Sequence, residues 1–359
     1  MKKSIYTLLA AVLMLSVVGC TKEDVKETVK TTVKEETTIV KEEETEEILE
    51  NQNLLTGLTD LSDDAVGKRP VAIMVNNVEA ALPQYGVAQA DIIFEIPVEG
   101  DLTRLMALYA DYTMVPKICS VRSCRYYFPA FSQGFDAFYI NWGYDGTVEE
   151  YLNGLNMDQY EGMYNEGNLF GRDENRLNSG YPLEHTGYFD GTQFVTVVES
   201  DGKRTDLADG KTGSAFRFNG VDEQIKAGDK ECTVVDINFG GATATLTYNE
   251  STKTYLKDIN GHPHMDGVTE TQLSFTNVFV LETEISVRDD VGRKKIDCFG
   301  NADSVGYYIS NGGVQKIHWS KASENDYLKF YDYETGEEIR VNRGKSYIAV
   351  NYKDQVVFK

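Results

Sequence analysis

Arg122 and Arg125 stand three residues apart in ICSVRSCRYYF (118–128), with Ser123 between them and aromatic residues directly behind. Thr103 and Arg104 lie upstream in LTRLMALYAD (102–111), and Glu95 and Glu99 in ADIIFEIPVE (90–99). Guanidinium forks take up carboxylate, phosphate or sulfate through paired N–H donors. If Arg125 opens a helix at Tyr126, nearby backbone N–H groups would add to such a site. Two main readings follow. In one, Arg104, Arg122 and Arg125 form an internal network with Glu95, Glu99 and Asp136, because a buried charge left unpaired is destabilising by several kcal/mol. In the other, the cluster receives an external anion. A catalytic use is the third and weakest. The residue types favour internal pairing.

Other groups are weighed the same way. Glu95 and Glu99, four apart in one strand, would sit roughly 13 Å apart at ~3.3 Å per residue. A glycosidase pair needs about 5–9.5 Å, so they fail as a pair. His262, His264 and Asp266 alternate in GHPHMDG (261–267), which puts three metal-ligand types on one side of an extended segment. A turn with hydrogen-bonded imidazoles is the plainer reading, so no metal is expected. His185, His264 and Asp266 remain candidates for a polar site. Cys119, Cys124, Cys232 and Cys298 follow Cys20. Cys232 and Cys298 are the pair a disulfide would join, and a thiol nucleophile would need His185 as its base. Trp142 and Tyr144 follow a strand in a glycine-bearing loop and offer flat surface for a sugar ring, although core packing is favoured for Trp142. No phosphate-binding loop, nucleophile elbow, zinc-protease helix, CxxC or dinucleotide fingerprint occurs. No cofactor is expected.

The chain opens MKKSIYTLLAAVLMLSVVGCTKED. Two lysines precede an apolar run too short to span a bilayer comfortably, as in a secretory leader. The run ends in VVGC, the pattern of a bacterial lipobox. The expectation is cleavage before Cys20 and acylation of that residue, palmitate included. Two or three acyl chains, at about 0.8 kcal/mol per buried CH2, hold a protein on a membrane without a spanning helix. Residues 21–66 carry 14 acids and five lysines, and no aromatic, proline or cysteine. Such a stretch buries too little to offset its ordering entropy. It is read as a solvated acidic tether. Over the whole chain 57 acids oppose 35 bases, a formal charge of −22, which disfavours nucleic acid as a partner.

These candidate residues must be held by a folded body of about 290 residues, long enough for two domains. RPVAIMVNN (69–77), ADIIFEIPVE, LTRLMALYAD and FDAFYINWG (135–143) read as strands. Helices are expected over Tyr126–Gln133 and Val148–Leu155, the second with a capping box of Thr147 and Glu150. Beyond about residue 206 the texture changes to short strands parted by Gly and Asn turns. The expected fold class is α+β: an N-terminal α/β layered domain with a mixed sheet (67–205) and a C-terminal antiparallel β-rich domain (206–359). The leader (1–19) and the lipidated cysteine with its tether (20–66) precede them.

From Arg69 onward the sequence resembles the YerB-like lipoprotein family of Gram-positive bacteria. The resemblance rests on RPVAIMVNN, PQYGVAQADIIFEIPVEGDLTRLMALY, PKICSVRSCRYYF, FDAFYINWG, GRDENRLNSGYPLEHTGYF, GHPHMDG, TNVFVLET and GEEIRVNRGKSYIAV. It implies a two-domain lipoprotein and brings no reaction with it. The functional expectation is a lipid-anchored binding module on the extracytoplasmic membrane face. It would engage a cell-wall polymer, a glycan or a membrane protein. The alternative is a wall-directed hydrolase or transferase using Arg122, Arg125, Glu95 and Glu99.

Overall fold

Val71–Asn76, Ile92–Pro97 and Thr103–Tyr109 are buried at every position, as strands covered on both faces must be. Alternation then divides them. Ala72, Met74, Phe94, Ile96, Met106 and Leu108 enter one core with Tyr127, Phe128 and Phe131 of helix Tyr127–Gly134. Val71, Ile73, Val75, Ile93, Leu105 and Ala107 enter a second core on the opposite face, with Phe170, Phe189, Val235, Leu246 and Tyr255. One sheet therefore separates two cores.

The computed structural model describes residues 48–211 and 215–359. The leader, Cys20 and the acidic segment up to residue 47 lie outside the described residues. All of the described packing falls within one compact unit, Glu46–Lys359. Among the described residues the main sheet has 11 strands, and sheets of six, three and two strands accompany it. The main sheet is mixed: 71–76 pairs antiparallel with 103–109 and parallel with Phe138–Asn141. The antiparallel six-stranded sheet, built around Val234–Asn238, Thr243–Asn249 and Thr254–Ile259, belongs to the C-terminal half and packs on the second core. These are the mixed and antiparallel sheets expected from the sequence.

The two halves are joined more closely than a boundary at 205/206 suggests. Ser346–Tyr352 pairs in parallel with 92–97 on one side and with Asn277–Thr283 on the other, so one sheet runs through both. The tether also ends earlier than residue 66. Leu55, Leu61 and Ala65 are buried in the first core. The Asn53 amide donates to Asp91 at 3.0 Å, and Arg343 donates to Gln52 Oε1 at 3.1 Å. The short apolar run NLLTGL supplies the burial that the acidic part of the segment lacks. The capping box is not formed: Thr147 gives its hydroxyl to Asp145, and helix Glu149–Gly154 starts behind Val148 without a side-chain cap.

Candidate functional site

Strands 71–76 and 138–141 run in parallel through the register Val71–Phe138 to Ile73–Ile140 and then separate. Residues 120–124 fill the gap. Asn76 N–H donates to Ser120 O at 2.9 Å and Arg122 N–H to Met74 O at 3.0 Å. On the other side Trp142 N–H donates to Arg122 O at 3.0 Å and Cys124 N–H to Gly143 O at 2.9 Å. The motif of the two arginines is thus a wedge between parallel strands at their carboxyl ends. A crevice outside the carboxyl ends of parallel strands is where open α/β sheets bind ligands.

An open hollow of about 560 Å³ lies beside the wedge. Arg122, Ser123, Trp142, Arg172, Leu183 and Glu184 are among its lining residues, with Tyr144 and Met163. Arg122 donates to Glu184 at 2.6 Å. Trp142 is half-buried, edge-on to Phe170 at 5.7 Å, and carries the Arg172 guanidinium over its ring at 4.1 Å. A Cβ on Gly162 or Gly187 would come within 2.6 or 2.9 Å of the indole, so both positions keep the ring in place by being glycine. Gly143 has φ +83 and gives its N–H to the Glu161 carboxylate, which turns the chain past Ser123. Trp142 is therefore both a core residue and a wall of the hollow.

His185 sits behind Glu184. The Asn76 amide donates to its Nδ1 at 2.9 Å, and Asn76 Oδ1 accepts from Val78 N–H at 3.4 Å, which orients the amide. The proton of the neutral ring is then on Nε2, 3.7 Å from Glu184 Oε1. Burial lowers the imidazole below its usual value, with Glu184 working in the other direction. The hydrogen bond from Arg122 and its charge hold the Glu184 carboxyl down.

The remaining arginines pair inward, as expected, but not with all the partners expected. Arg125 binds Glu99 through Nε at 2.6 Å and also through Nη2. Arg104 reaches the other Glu99 oxygen at 3.3 Å and Ser123 O at 2.5 Å. Burial pulls the Arg104 guanidinium down to about 10 and lowers that of Arg125. Asp136 is no part of this group. It binds Arg204 at 2.6 and 2.7 Å and faces Arg69 at 3.5 Å. Its φ of +54 marks a turn after helix 127–134 that points the carboxylate away from the wedge.

Glu95 is also elsewhere. It is sealed between the main and six-stranded sheets, where it accepts from Asn77 at 2.9 Å, Thr103 at 2.8 Å and Tyr347 at 2.7 Å. Its counter-ion is Lys257 at 3.2 Å, fully buried. Lys257 also donates to His264 Nδ1 at 3.0 Å, and His264 Nε2 then donates to Gln84 Oε1 at 2.8 Å. Lysine, glutamate and imidazole lock the two halves together. The sequence does carry a signal for Lys257: it occupies the inward phase of strand 254–259, between buried Tyr255 and Ile259.

The three alternating residues of GHPHMDG do not meet on a metal. His262 is exposed, His264 is engaged as above, and Asp266 accepts N–H groups from Ala88, Val268 and Thr269. Among the described residues no group of three ligand types gathers. Cys119, Cys124, Cys232 and Cys298 are buried and free, so Cys232 and Cys298 form no bridge. Burial raises the Cys119 and Cys124 thiols to about 12, which removes both as nucleophiles for His185. Arg172 and Glu184 were not singled out from the sequence, although both stand inside GRDENRLNSGYPLEHTGYF, a stretch used for the family resemblance.

Comparison with known proteins agrees with this architecture. Residues 55–204 match the family described as "Protein of unknown function (DUF3048) N-terminal domain", and residues 235–348 match its C-terminal domain. The chain belongs to this family. It is 27% identical over 271 residues to YerB of Bacillus subtilis (strain 168), which is named as a lipoprotein; the match covers 75% of this chain and 78% of YerB. The crystal structure of YerB from Bacillus subtilis superposes with a TM-score of 0.69 at 24% identity, covering 85% of this chain and 98% of that one. That likeness is one of fold. Among the described residues no helix is long and apolar enough to cross a membrane.

Proposed function

We infer that this chain is a lipid-anchored binding module on the extracytoplasmic face of the membrane. Cys20 is its acylated first residue, and the hollow beside the wedge is where it engages an anionic polymer of the cell envelope. The observation that carries this reading is that Arg122, from the wedge at the split between parallel strands, and Arg172 line one open hollow. Arg172 is stacked on the Trp142 indole, and among the described residues Arg122 gives one of its five N–H donors to a side chain. The four thiols among the described residues lie buried, which favours recognition over thiol chemistry.

The test is retention of the fragment 46–359 on purified wall and membrane preparations, beside Arg122→Ala. That fragment keeps Leu55, Leu61 and the Arg343–Gln52 contact, which a cut at residue 67 would remove. Binding that falls at least about tenfold in the variant supports the site, as loss of charge-assisted hydrogen bonds requires. Equal retention with an unchanged melting midpoint sinks it. Anchoring is read separately: a fatty-acid label must disappear in Cys20→Ser.

A further inference from the structure

The hollow already contains an anion of the protein's own. Arg122 arrives from the wedge, and Arg172 from strand Phe170–Arg172. They converge on neighbouring residues of the turn Leu183–His185: Arg122 on the Glu184 carboxylate at 2.6 Å, Arg172 on the Leu183 carbonyl at 2.9 Å. Two guanidinium groups from separate elements are thus engaged by adjacent residues of one short turn, in the lining of one hollow. The geometry points to a phosphate-group site in which Glu184 is an internal occupant, displaced when phosphate enters. This deepens the binding reading above and rests on it.

A carboxylate has two oxygens and can satisfy at most one fork; Glu184 takes a single N–H of Arg122 on Oε2, while its Oε1 faces His185. A phosphate group presents three or four acceptor oxygens and can bridge two forks at once. Arg172 is oriented before any ligand arrives, because its guanidinium lies on Trp142 and one of its donors is tied to Leu183. Preorganisation of this kind lowers the entropic penalty of binding. Glu184 is easily released: its side chain is 55% exposed, and exposed ion pairs contribute about 0–1 kcal/mol. Its departure also leaves the Nε2–H of buried His185, now 3.7 Å from Glu184 Oε1, without that carboxylate neighbour. Glu166 approaches Arg172 at 3.6 Å from a side chain that is 54% exposed, so it is equally free to turn away.

The rim indicates what the phosphate is attached to. Met163 and Leu183, 62% and 60% exposed, line the opening, and Tyr164 beside them is 78% exposed. Apolar surface beside a pair of arginines suits a phosphate ester that carries carbon. Both a membrane phospholipid headgroup and a soluble or wall-borne glycerol phosphate meet that description.

The experiment titrates fragment 46–359 with inorganic phosphate at constant ionic strength and reads tryptophan emission. Trp142 and Trp319 are the two tryptophans, and Trp319 is fully buried away from the hollow. The native fragment should saturate. Glu184→Gln should bind roughly two- to fivefold more tightly, the worth of one exposed ion pair. Arg172→Gln should lose about tenfold or more. Melting midpoints establish that each variant is folded, and Glu184→Ala gives a second release of Arg122 should Gln keep the bond. Phosphate binding no tighter in either Glu184 variant overturns the internal-occupant assignment. Failure of the native fragment to bind phosphate while it is still retained on envelope material overturns the phosphate assignment and spares the binding reading. Loss of both removes both. The sources separate when sn-glycerol 3-phosphate is compared with phosphatidylglycerol vesicles. Vesicle binding assigns a headgroup, and glycerol phosphate binding alone assigns a soluble or wall-borne ester.

Discussion

Replacing Lys257 with methionine would leave the Glu95 carboxylate buried without a cation. Both side chains are sealed, at 0% and 1% exposure. Three neutral donors from Asn77, Thr103 and Tyr347 would still reach the carboxylate, but none supplies charge. Breaking one side of such a pair costs about 3–5 kcal/mol, whereas removing both sides is often close to neutral. Lys257→Met should therefore lower unfolding stability by about 3–5 kcal/mol, a large part of the 5–15 kcal/mol typical of a folded protein. Glu95→Gln should cost a similar amount by stranding the ammonium. The double variant should cost less than the sum by about 2 kcal/mol or more, the range expected for contacting residues. Urea unfolding of fragment 46–359, followed by circular dichroism and by Trp319 emission, measures all four corners of the cycle. Glu95 belongs to the N-terminal strand 92–97 and Lys257 to the C-terminal strand 254–259, so the two probes should also diverge in the single variants. A Lys257→Met cost below about 1 kcal/mol, or strict additivity, would refute the claim that this pair fastens the halves.

Further consequences concern titration, thiols and the indole. Burial, with the Lys257 ammonium beside it, keeps His264 well below the ordinary 6.5. The unfolded chain takes up that proton near pH 6.5 and the folded chain does not. Stability should thus fall below pH 6.5 by at most about 1.4 kcal/mol per pH unit for this residue. His264→Gln should flatten the slope between pH 6.5 and 5, and identical slopes would contradict the sealed neutral ring. Burial raises Cys119, Cys124 and Cys298 to about 12 and Cys232 to about 11. Native fragment should leave all four unmodified by a thiol-reactive disulfide at pH 8, and urea should expose four together. Gly162→Ala places a methyl group 2.6 Å from Trp142 Cδ2. It should cost about 1–3 kcal/mol and shift tryptophan emission, and a silent substitution would mean the ring is not held there.

Charge pairing within the reach of one motif was legible before any fold was known. Glu99, Arg104 and Arg125 come from a strand end, its neighbour and the segment that follows, and chain proximity alone brings them together. Asp136 was misplaced for the opposite reason. Its partners Arg69 and Arg204 arrive from opposite ends of the N-terminal half, and a turn with positive φ, invisible in composition, decides the direction of its carboxylate. Glu95 and Glu99 looked equivalent at four residues' separation. One is inside the strand and faces the six-stranded sheet, while the other lies past its end. Nothing in local spacing says which of two like acids will meet a lysine more than 150 residues away.

The wedge shows why the proposed anion site is legible only in part. The residue types of SVRSC favoured internal pairing and left an external anion as the second reading, and the pattern of strands announced a layered sheet. What makes a site of them is that 71–76 and 138–141 part company after three registered pairs and admit a third segment between them. That insertion gives hydrogen-bond partners to the backbone of both strands, and it turns Arg125 inward to Glu99 while Arg122 is left in the open hollow, held by Glu184. Two arginines three residues apart thus receive opposite assignments, one structural and one open to solvent. Arg125→Gln should therefore be read in the melting midpoint and Arg122→Gln in ligand retention, and a swap of those two outcomes would reverse the division of labour argued for the wedge.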